Sequence, residues 1–348
     1  MKQINIIGAG LVGSLLSVMM AKKGYKVSVS ERRPDLRKAN ISAGRSINLA
    51  LSHRGWKALE IIGVSEEVKK IAVPMFGRTI HTLNGEKHYQ PYGKENEAIY
   101  SVSRGELNCL LMDLAEQNGV EISFEQRCIG VDFKKQQIEF ESETKKFDHI
   151  FSADGAFSAA RHQMETIDRY DYSQNYLEHG YKELTIPALE NNQWALDKNT
   201  LHIWPRHRYM LIALPNMDGS FTCTLFFPFE GENSFASIKN ESELNTFFKA
   251  VFPDAMALMP TLQKDFFENP TSSLVTVKCF PWSYEDKLLL IGDAAHAIVP
   301  FFGQGMNCGF EDCTVLNDLL ENYQNDFSKV FKTFEKIRKP NTDAIAEL

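Results

Sequence analysis

The stretch that most constrains this chain is Gly8-Ala9-Gly10-Leu11-Val12-Gly13, met within the first fifteen residues. The short apolar run at 3–7 reads as a buried strand. Leu15, Leu16, Val18, Met19 and Ala21 then read as a helix that stops at Gly24, and Val27 and Val29 as a second strand ending in Glu31. Strand, G-x-G-x-x-G, helix and a downstream acid form the fingerprint of a dinucleotide-binding βαβ unit. The first glycine makes the tight turn, the second lets a pyrophosphate approach the backbone, and the third lets helix and strand pack closely. Gly8, Gly10, Leu11, Val12 and Gly13 are therefore candidate cofactor contacts, and Glu31 is placed to accept the adenosine ribose hydroxyls. This pattern does not separate FAD from NAD.

A second stretch, Leu288 to Gly309, supplies the matching edge. Four apolar residues at 288–291 read as a strand, Gly292-Asp293 leaves the sheet, and Gly303-Gln304-Gly305 opens an amphipathic helix. A carboxylate at a strand end can grip a polyol hydroxyl. A glycine turn at a helix N-terminus offers N–H groups and a positive dipole end to an electron-rich ring. Asp293 and Gly305 join the cofactor candidates on this ground. Asp154-Gly155, leaving another apolar run, fits a third contact, although Asp-Gly is also a common turn pair.

Composition narrows the function classes. The chain has 348 residues, 43% hydrophobic and 24% charged, which suits a soluble chain of about two domains. A net charge of −7 without a Lys/Arg cluster argues against nucleic acid. Six scattered cysteines without a C-x-x-C pair indicate neither a zinc site nor a disulfide framework, and no metal is expected. With no long apolar span and no signal peptide, a cytoplasmic location without membrane association is expected.

The order of elements predicts an α/β protein: a Rossmann-like, FAD-binding-type domain with an inserted, mainly antiparallel β-sheet domain for substrate. The first domain is assigned to 1–72, 100–176 and 281–348, and the second to 73–99 and 177–280. Alternation at Phe76, Arg78 and Ile80, followed by Asn84-Gly85 and then His88, Gln90 and Tyr92, predicts a hairpin. Ser103-Arg-Gly-Glu106 predicts a capped helix. Strands are expected at 120–124, 129–133, 137–141, 201–204, 208–214 and 220–228, a helix over 54–62, and a helical and connective stretch over 233–265. Phe327 to Ile337 predicts a helix ended by Pro340, with Asn341-Thr342-Asp343 capping a short new one. From the residues alone, Arg45 is a candidate cofactor contact at even odds with a surface arginine, and Arg78 reads as a solvated strand arginine. The aromatic inner side of the second sheet reads as core packing before it reads as a ligand pocket.

The three motifs at Gly8–Gly13, Asp154-Gly155 and Gly292-Asp293, in this order and spacing, resemble the single-component flavin-dependent aromatic hydroxylases, the group that includes p-hydroxybenzoate hydroxylase. Within it, Gly44 to Gly55, Tyr100 to Arg104, Leu201 to Arg206 and Asp293 to Asn307 resemble the branch that hydroxylates L-kynurenine in tryptophan degradation. The likeness runs along essentially the whole chain. It implies bound FAD, NADPH as reductant without a domain of its own, O2 as second substrate, and hydroxylation beside the amino group through a flavin C4a-hydroperoxide. Carried over residue by residue, the cofactor contacts fall on Glu31, Arg32, Ala50, Arg104, Asp293, Met306 and Asn307, with Cys128 beside them. The substrate-carboxylate contacts fall on Arg78 and Tyr92. Pro300, Phe301, Phe302 and Gln304 would line the reacting face, with Thr224 and Phe226 opposite. No protein base is implied. The resemblance also implies a further C-terminal helical cover, which is expected to be absent here, and a homodimer is the assembly considered. Rival readings are a flavin monooxygenase or oxidase for another aromatic, a flavin-binding module without catalysis, and a nicotinamide dehydrogenase.

Overall fold

The structure, a computed structural model, describes residues 3–38, 48–94 and 97–347, apart from the side chain of Phe302. Strand β1 (Gln3–Ile7) runs through the glycine turn into helix α1 (Leu11–Lys22) and back to β2 (Lys26–Ser30). The strands are parallel, with Ile4 opposite Val27 and Ile6 opposite Val29. Helix α1 is buried around most of its circumference, as a crossover helix between layers must be.

Next come β3 (Asn48–Leu51), α2 (His53–Ile61), α3 (Ser65–Lys69) and β4 (Ala72–Met75). The hairpin of β5 (Gly77–His81) and β6 (Lys87–Pro91) turns at Gly85, where φ is 85°. After it come β7 (Ile99–Ser103) and α4 (Arg104–Gln117), whose N-cap Ser103 accepts the Glu106 N–H. Short strands β8 (Glu121–Ser123), β9 (Cys128–Asp132), β10 (Gln137–Phe140), β11 (Thr144–Lys146) and β12 (His149–Ser152) lead to α5 (Ala159–Met164). The chain then forms β13 (Asp171–Ile186), β14 (Thr200–Arg206), β15 (Tyr209–Pro215) and β16 (Phe221–Pro228). Helices α6 (Glu241–Val251), α7 (Pro253–Met256) and α8 (Leu262–Glu268) precede β17 (Ser272–Phe280), β18 (Ser283–Tyr284), β19 (Leu288–Leu290) and α9 (Asp293–His296). The described chain closes with α10 (Gln304–Asn322) and α11 (Phe327–Ala346).

The first large sheet has the order β18-β19-β12-β1-β2-β8, and all its strands but edge β18 are parallel. Gly8, Glu31, Ala153 and Gly292 therefore lie at one edge, beyond the carboxyl ends of β1, β2, β12 and β19. Ligands of open α/β sheets bind at that edge. The second sheet, β17-β13-β16-β15-β14-β5-β6, is antiparallel except between β14 and β5. Its two faces differ. Leu184, Ile186, Trp204, Leu211, Ala213, Cys223, Leu225 and Phe227 pack with helices α6 to α8 into a core of their own. The opposite face carries Arg78, Leu201, Ile203, Ile212, Thr224 and Phe226, as the pairing register requires.

Sequence and structure part in three places. Strand β4 belongs with β3 and β7 in a small antiparallel sheet and not with the hairpin that follows it. Strand β13 begins at Asp171 and runs through position 176, pairing with β17 along its first half and β16 along its second. Pro340 does not end a helix: α11 continues through it to Ala346. An interior proline costs about 3 kcal/mol, and here buried residues on both sides offset it. Phe331, Phe334, Glu335, Arg338 and Thr342 share the packed face. Glu335 accepts the N–H groups of Trp282 and Ser283, both at 3.0 Å. Arg338, 1% exposed, donates to Asp312 at 2.7 Å and to Glu311 at 2.8 Å. Removing one partner of a buried ion pair costs about 3–5 kcal/mol. Arg338→Met is expected to lower the urea unfolding midpoint accordingly, with the slope unchanged; a shift too small to measure would contradict this reading of the helix.

Candidate cofactor and substrate site

The glycine turn leaves no room for a side chain at Gly8 or Gly13. Gly8 has φ +99°, and a Cβ on Gly13 would stand 2.0 Å from the Gly8 carbonyl. Around Gly10, by contrast, a Cβ would meet nothing within 4 Å, so the turn faces open space. The N-terminus of α1 has no side-chain cap and no acid in its first turn. The same holds for α10, whose N-cap Gly303 takes the left-handed conformation, φ 61°. Two uncapped helix N-termini thus face one cleft, which holds about 1380 Å³ of empty space, part of it open to solvent.

Of the residues expected at the cofactor, Gly8, Gly10, Leu11, Val12, Glu31, Arg32, Arg104, Asp154, Asp293, Gly305 and Met306 line this cleft, together with Pro300. Cys128 lines a smaller adjoining pocket with Gly8, Arg32, Asp154 and Phe157, and burial pushes its thiol up to about 12. Gly13 sits beneath the turn. Asn307 is fully buried and spent on structure: its Oδ1 accepts the Ser52 N–H at 2.9 Å, and its Nδ2 donates to the carbonyls of Ala50 at 2.8 Å and Gly303 at 3.0 Å. It joins β3 to α10 and so sets Ala50 by its backbone. Arg45 lies outside the described residues, as does the Phe302 side chain.

Glu31 holds the turn from inside. Its carboxylate accepts the Ala9 N–H at 2.9 Å and both the backbone N–H (3.0 Å) and Nε (2.9 Å) of Arg33. Burial alone would raise its pKa, but the hydrogen bonds and charge of Arg33, with the Ala9 N–H, outweigh it and hold the carboxyl below its ordinary value. Asp293 keeps accessible surface where it lines the cleft, yet the dense protein around it pushes its carboxyl up. The charges of Arg104 and His296 act the other way. Asp154 accepts from Ser152 Oγ at 2.5 Å and from the Ala159 N–H at 2.8 Å, so it shapes its own turn.

The substrate candidates lie on the open face of the second sheet. Arg78 stands opposite Gln90 across the hairpin and donates to its Oε1 at 2.8 Å. Tyr92 follows two residues after Gln90 on the same side, and its N–H is bound to the Phe76 carbonyl at 3.0 Å. Crowding by the surrounding protein pushes its phenol up to about 12, against the pull of the Arg78 charge. Thr224 and Phe226 occupy that face at buried positions, and the Phe226 ring meets the Phe301 ring at 5.2 Å. Here the second sheet touches the segment between α9 and α10. Gln304 does not line the cofactor cleft; its carboxamide oxygen accepts from Arg54.

Several positioning residues carried no local signal. Arg161, 3% exposed, donates to the carbonyls of Ala294 at 2.9 Å and Ala156 at 2.6 Å, clamping together two loops of the cleft. Asp312, fully buried, accepts the Gly292 N–H at 3.0 Å, His296 Nε2 at 2.6 Å and Arg338 Nε at 2.7 Å. Asn48, on β3, reaches the turn after β15, with Nδ2 2.5 Å from Asn216 Oδ1.

A strand-end cleft that combines a dinucleotide turn with two uncapped helix N-termini defines a dinucleotide-binding α/β protein. The family described as FAD binding domain matches residues 1–347. Kynurenine 3-monooxygenase of Flavobacterium johnsoniae is 54% identical over 99% of this chain and 78% of its own length, and that of Dictyostelium discoideum 49% identical over 100% and 78%. The chain belongs to the kynurenine 3-monooxygenase family of FAD-binding proteins. Among solved structures, a 2-methyl-3-hydroxypyridine-5-carboxylic acid oxygenase matches with a TM-score of 0.81 at 19% identity, over 99% of this chain and 89% of its own. A probable FAD-dependent monooxygenase from Pseudomonas aeruginosa matches with a TM-score of 0.78 at 18% identity, over 99% and 94%. These two bear on the fold.

Two outcomes are expected. Gly13→Ala forces the turn from its place, at a cost of about 1–3 kcal/mol, and the purified variant should show a lower flavin-to-protein absorbance ratio. For His296, burial lowers the pKa, but the charge and hydrogen bond of Asp312 prevail and raise it well above the ordinary value. A raised folded pKa gives stability that is complete below the unfolded value, about 6.5, and lost as pH rises through the folded one. Chemical denaturation should show the native protein losing stability on the alkaline side, with His296→Gln flattening that limb.

Proposed function

We propose that this protein hydroxylates L-kynurenine to 3-hydroxykynurenine with NADPH and O2. The observation that carries the reading is the placement of Arg78, Tyr92, Thr224 and Phe226 on one sheet face, joined to the cofactor cleft through the Phe226–Phe301 contact. The balance is one O2 and one NADPH with a proton: one oxygen atom enters a ring C–H bond, the other leaves as water. FAD, when bound, supplies the redox chemistry that activates O2 with electrons from NADPH.

The chain's residues bind and orient. Gly8 to Val12 and Glu31 would hold the dinucleotide end, and Asp293 the polyol. The N-terminal N–H groups of α10, at Gly305 and Met306, offer positive charge density to the electron-rich ring. The Arg78 guanidinium pairs the substrate carboxylate, and the Tyr92 hydroxyl adds a hydrogen bond. Pro300, Phe301 and Phe226 exclude water from the ring's surroundings. The substrate's own amino group activates its ring, so no protein base is assigned. The division into a cofactor domain (1–72, 100–176, 281–348) and a substrate domain (73–99, 177–280) belongs to the same proposal. So do homodimer assembly, checked by light scattering, and a cytoplasmic location. Among the described residues no helix is long and apolar enough to cross a membrane.

The test is NADPH consumption in air by the flavin-loaded protein, with and without L-kynurenine, and mass identification of the product. Kynurenine-stimulated oxidation that yields 3-hydroxykynurenine supports the proposal; stimulation by a different aromatic alone overturns the substrate assignment. Arg78→Met should raise the kynurenine KM roughly 10- to 100-fold, the size of a lost charge-assisted hydrogen bond. Its flavin content should not change, because Arg78 does not line the cofactor cleft.

A further inference from the structure

The peptide between Ala9 and Gly10, at the tip of the glycine turn, is held by other elements. Ala9, 1% exposed, gives its N–H to Glu31 Oε2 at 2.9 Å. Its carbonyl accepts two donors at once, Asn108 Nδ2 from α4 and Ser14 Oγ from α1, both at 3.1 Å. Asn108 and Ser14 are themselves buried, at 8% and 1% exposure. Asn108 Nδ2 also faces Met112 Sδ at 4.0 Å. Its Oδ1, shut off from solvent, has no hydrogen-bond partner among the described residues.

The Ala9 carbonyl only accepts, so the Asn108 carboxamide must turn its NH2 to it and leave the oxygen stranded. A buried acceptor without a partner is destabilising, and an apolar side chain of the same size would remove that penalty. Asn108 is therefore a poor choice for stability alone. What it secures is the direction of a peptide plane. The Ala9–Gly10 bond is trans, so the Gly10 N–H points opposite to the Ala9 C=O. With the carbonyl drawn inward to buried side chains of α4 and α1, the N–H is turned outward. Gly10 lines the cofactor cleft, a Cβ on it would meet nothing within 4 Å, and its N–H has no partner among the described residues.

We propose that Asn108 is a positioning residue for the cofactor: together with Ser14 it locks the Ala9–Gly10 peptide so that the Gly10 N–H is presented to the FAD pyrophosphate. The pyrophosphate of a dinucleotide approaches the backbone at this second glycine. A peptide free to rotate would also turn its carbonyl outward and set an acceptor against an anion. Because the lock is in place before the cofactor arrives, its loss appears in affinity. The inference rests on the FAD binding of the family and is independent of which aromatic the protein hydroxylates.

Asn108→Leu keeps the volume, removes the stranded oxygen and loses the donor, so two quantities are expected to part in it. The urea unfolding midpoint of the flavin-free chain should stay or rise. The FAD dissociation constant, read from flavin fluorescence as the loaded protein is diluted, should increase about three- to tenfold, the range of one hydrogen bond. In the FAD-loaded variant the 31P resonances of the pyrophosphate should move while the visible flavin absorption keeps its shape, which puts the loss at the dinucleotide end. An unchanged dissociation constant overturns the inference. Weaker binding with unmoved 31P resonances overturns it as well, and so does weaker binding matched by a lower unfolding midpoint, the result a merely structural Asn108 would give. If Asn108→Leu does not fold, Asn108→Ala carries the affinity and 31P measurements, with an unchanged constant or unmoved resonances contradicting the inference. A parent protein that forms no hydroxylated kynurenine would sink the proposed function instead and leave these readouts to decide the role of Asn108.

Discussion

The Asp312 carboxylate, shut away from solvent inside α10, is the interaction on which the rest of the cofactor edge depends. It receives the Gly292 N–H, the His296 ring and the Arg338 guanidinium at once. A charge taken out of water is tolerated when such partners satisfy it, and it becomes costly when one is removed. Satisfying it fixes three parts of the chain together: the exit of β19, the short α9 that carries Asp293, and the closing helix α11. The position of the Asp293 carboxylate, which lines the cleft, is thereby tied to a helix that begins more than thirty residues later.

The rest of the edge follows from parallel strands. Because β1, β2, β12 and β19 run in one direction, their carboxyl ends deliver Gly8, Glu31, Ala153 and Gly292 to one side, where two helix N-termini also point. The second sheet contributes in a different way. One face is spent on its own helices, which leaves the Arg78–Phe226 face to meet Phe301, beside the start of α10. In the proposed reading, the cofactor and the substrate carboxylate are thus held by different layers.

How much of this was legible in the sequence depended on whether the cause was local. The glycine turn, the Asn84-Gly85 hairpin and the Ser103 cap act within a few residues, and each stands where the sequence puts it. Pro340 shows the limit: its local preference to end a helix yields to packing by Arg338 and Thr342 on either side. Asn307 shows another. The resemblance implies it as a cofactor contact, and what the sequence did not show is that its side chain bonds to Ser52, Ala50 and Gly303. Arg54, Arg161 and Asp312 were not legible, because each acts on a partner far along the chain and no periodicity marks it. The aromatic side of the second sheet reads as core before it reads as a pocket wall, and one face of that sheet does pack with α6 to α8 into a core.

The measurement that tests the account most directly is the fate of oxygen label. The flavin-loaded protein is supplied with NADPH, L-kynurenine and 18O2 in unlabelled water, and the product is read by mass spectrometry. The account predicts 3-hydroxykynurenine carrying one labelled oxygen atom, because one atom of O2 enters the ring and the other leaves as water. Product that takes its oxygen from water, or peroxide as the sole oxygen-derived product, would contradict it.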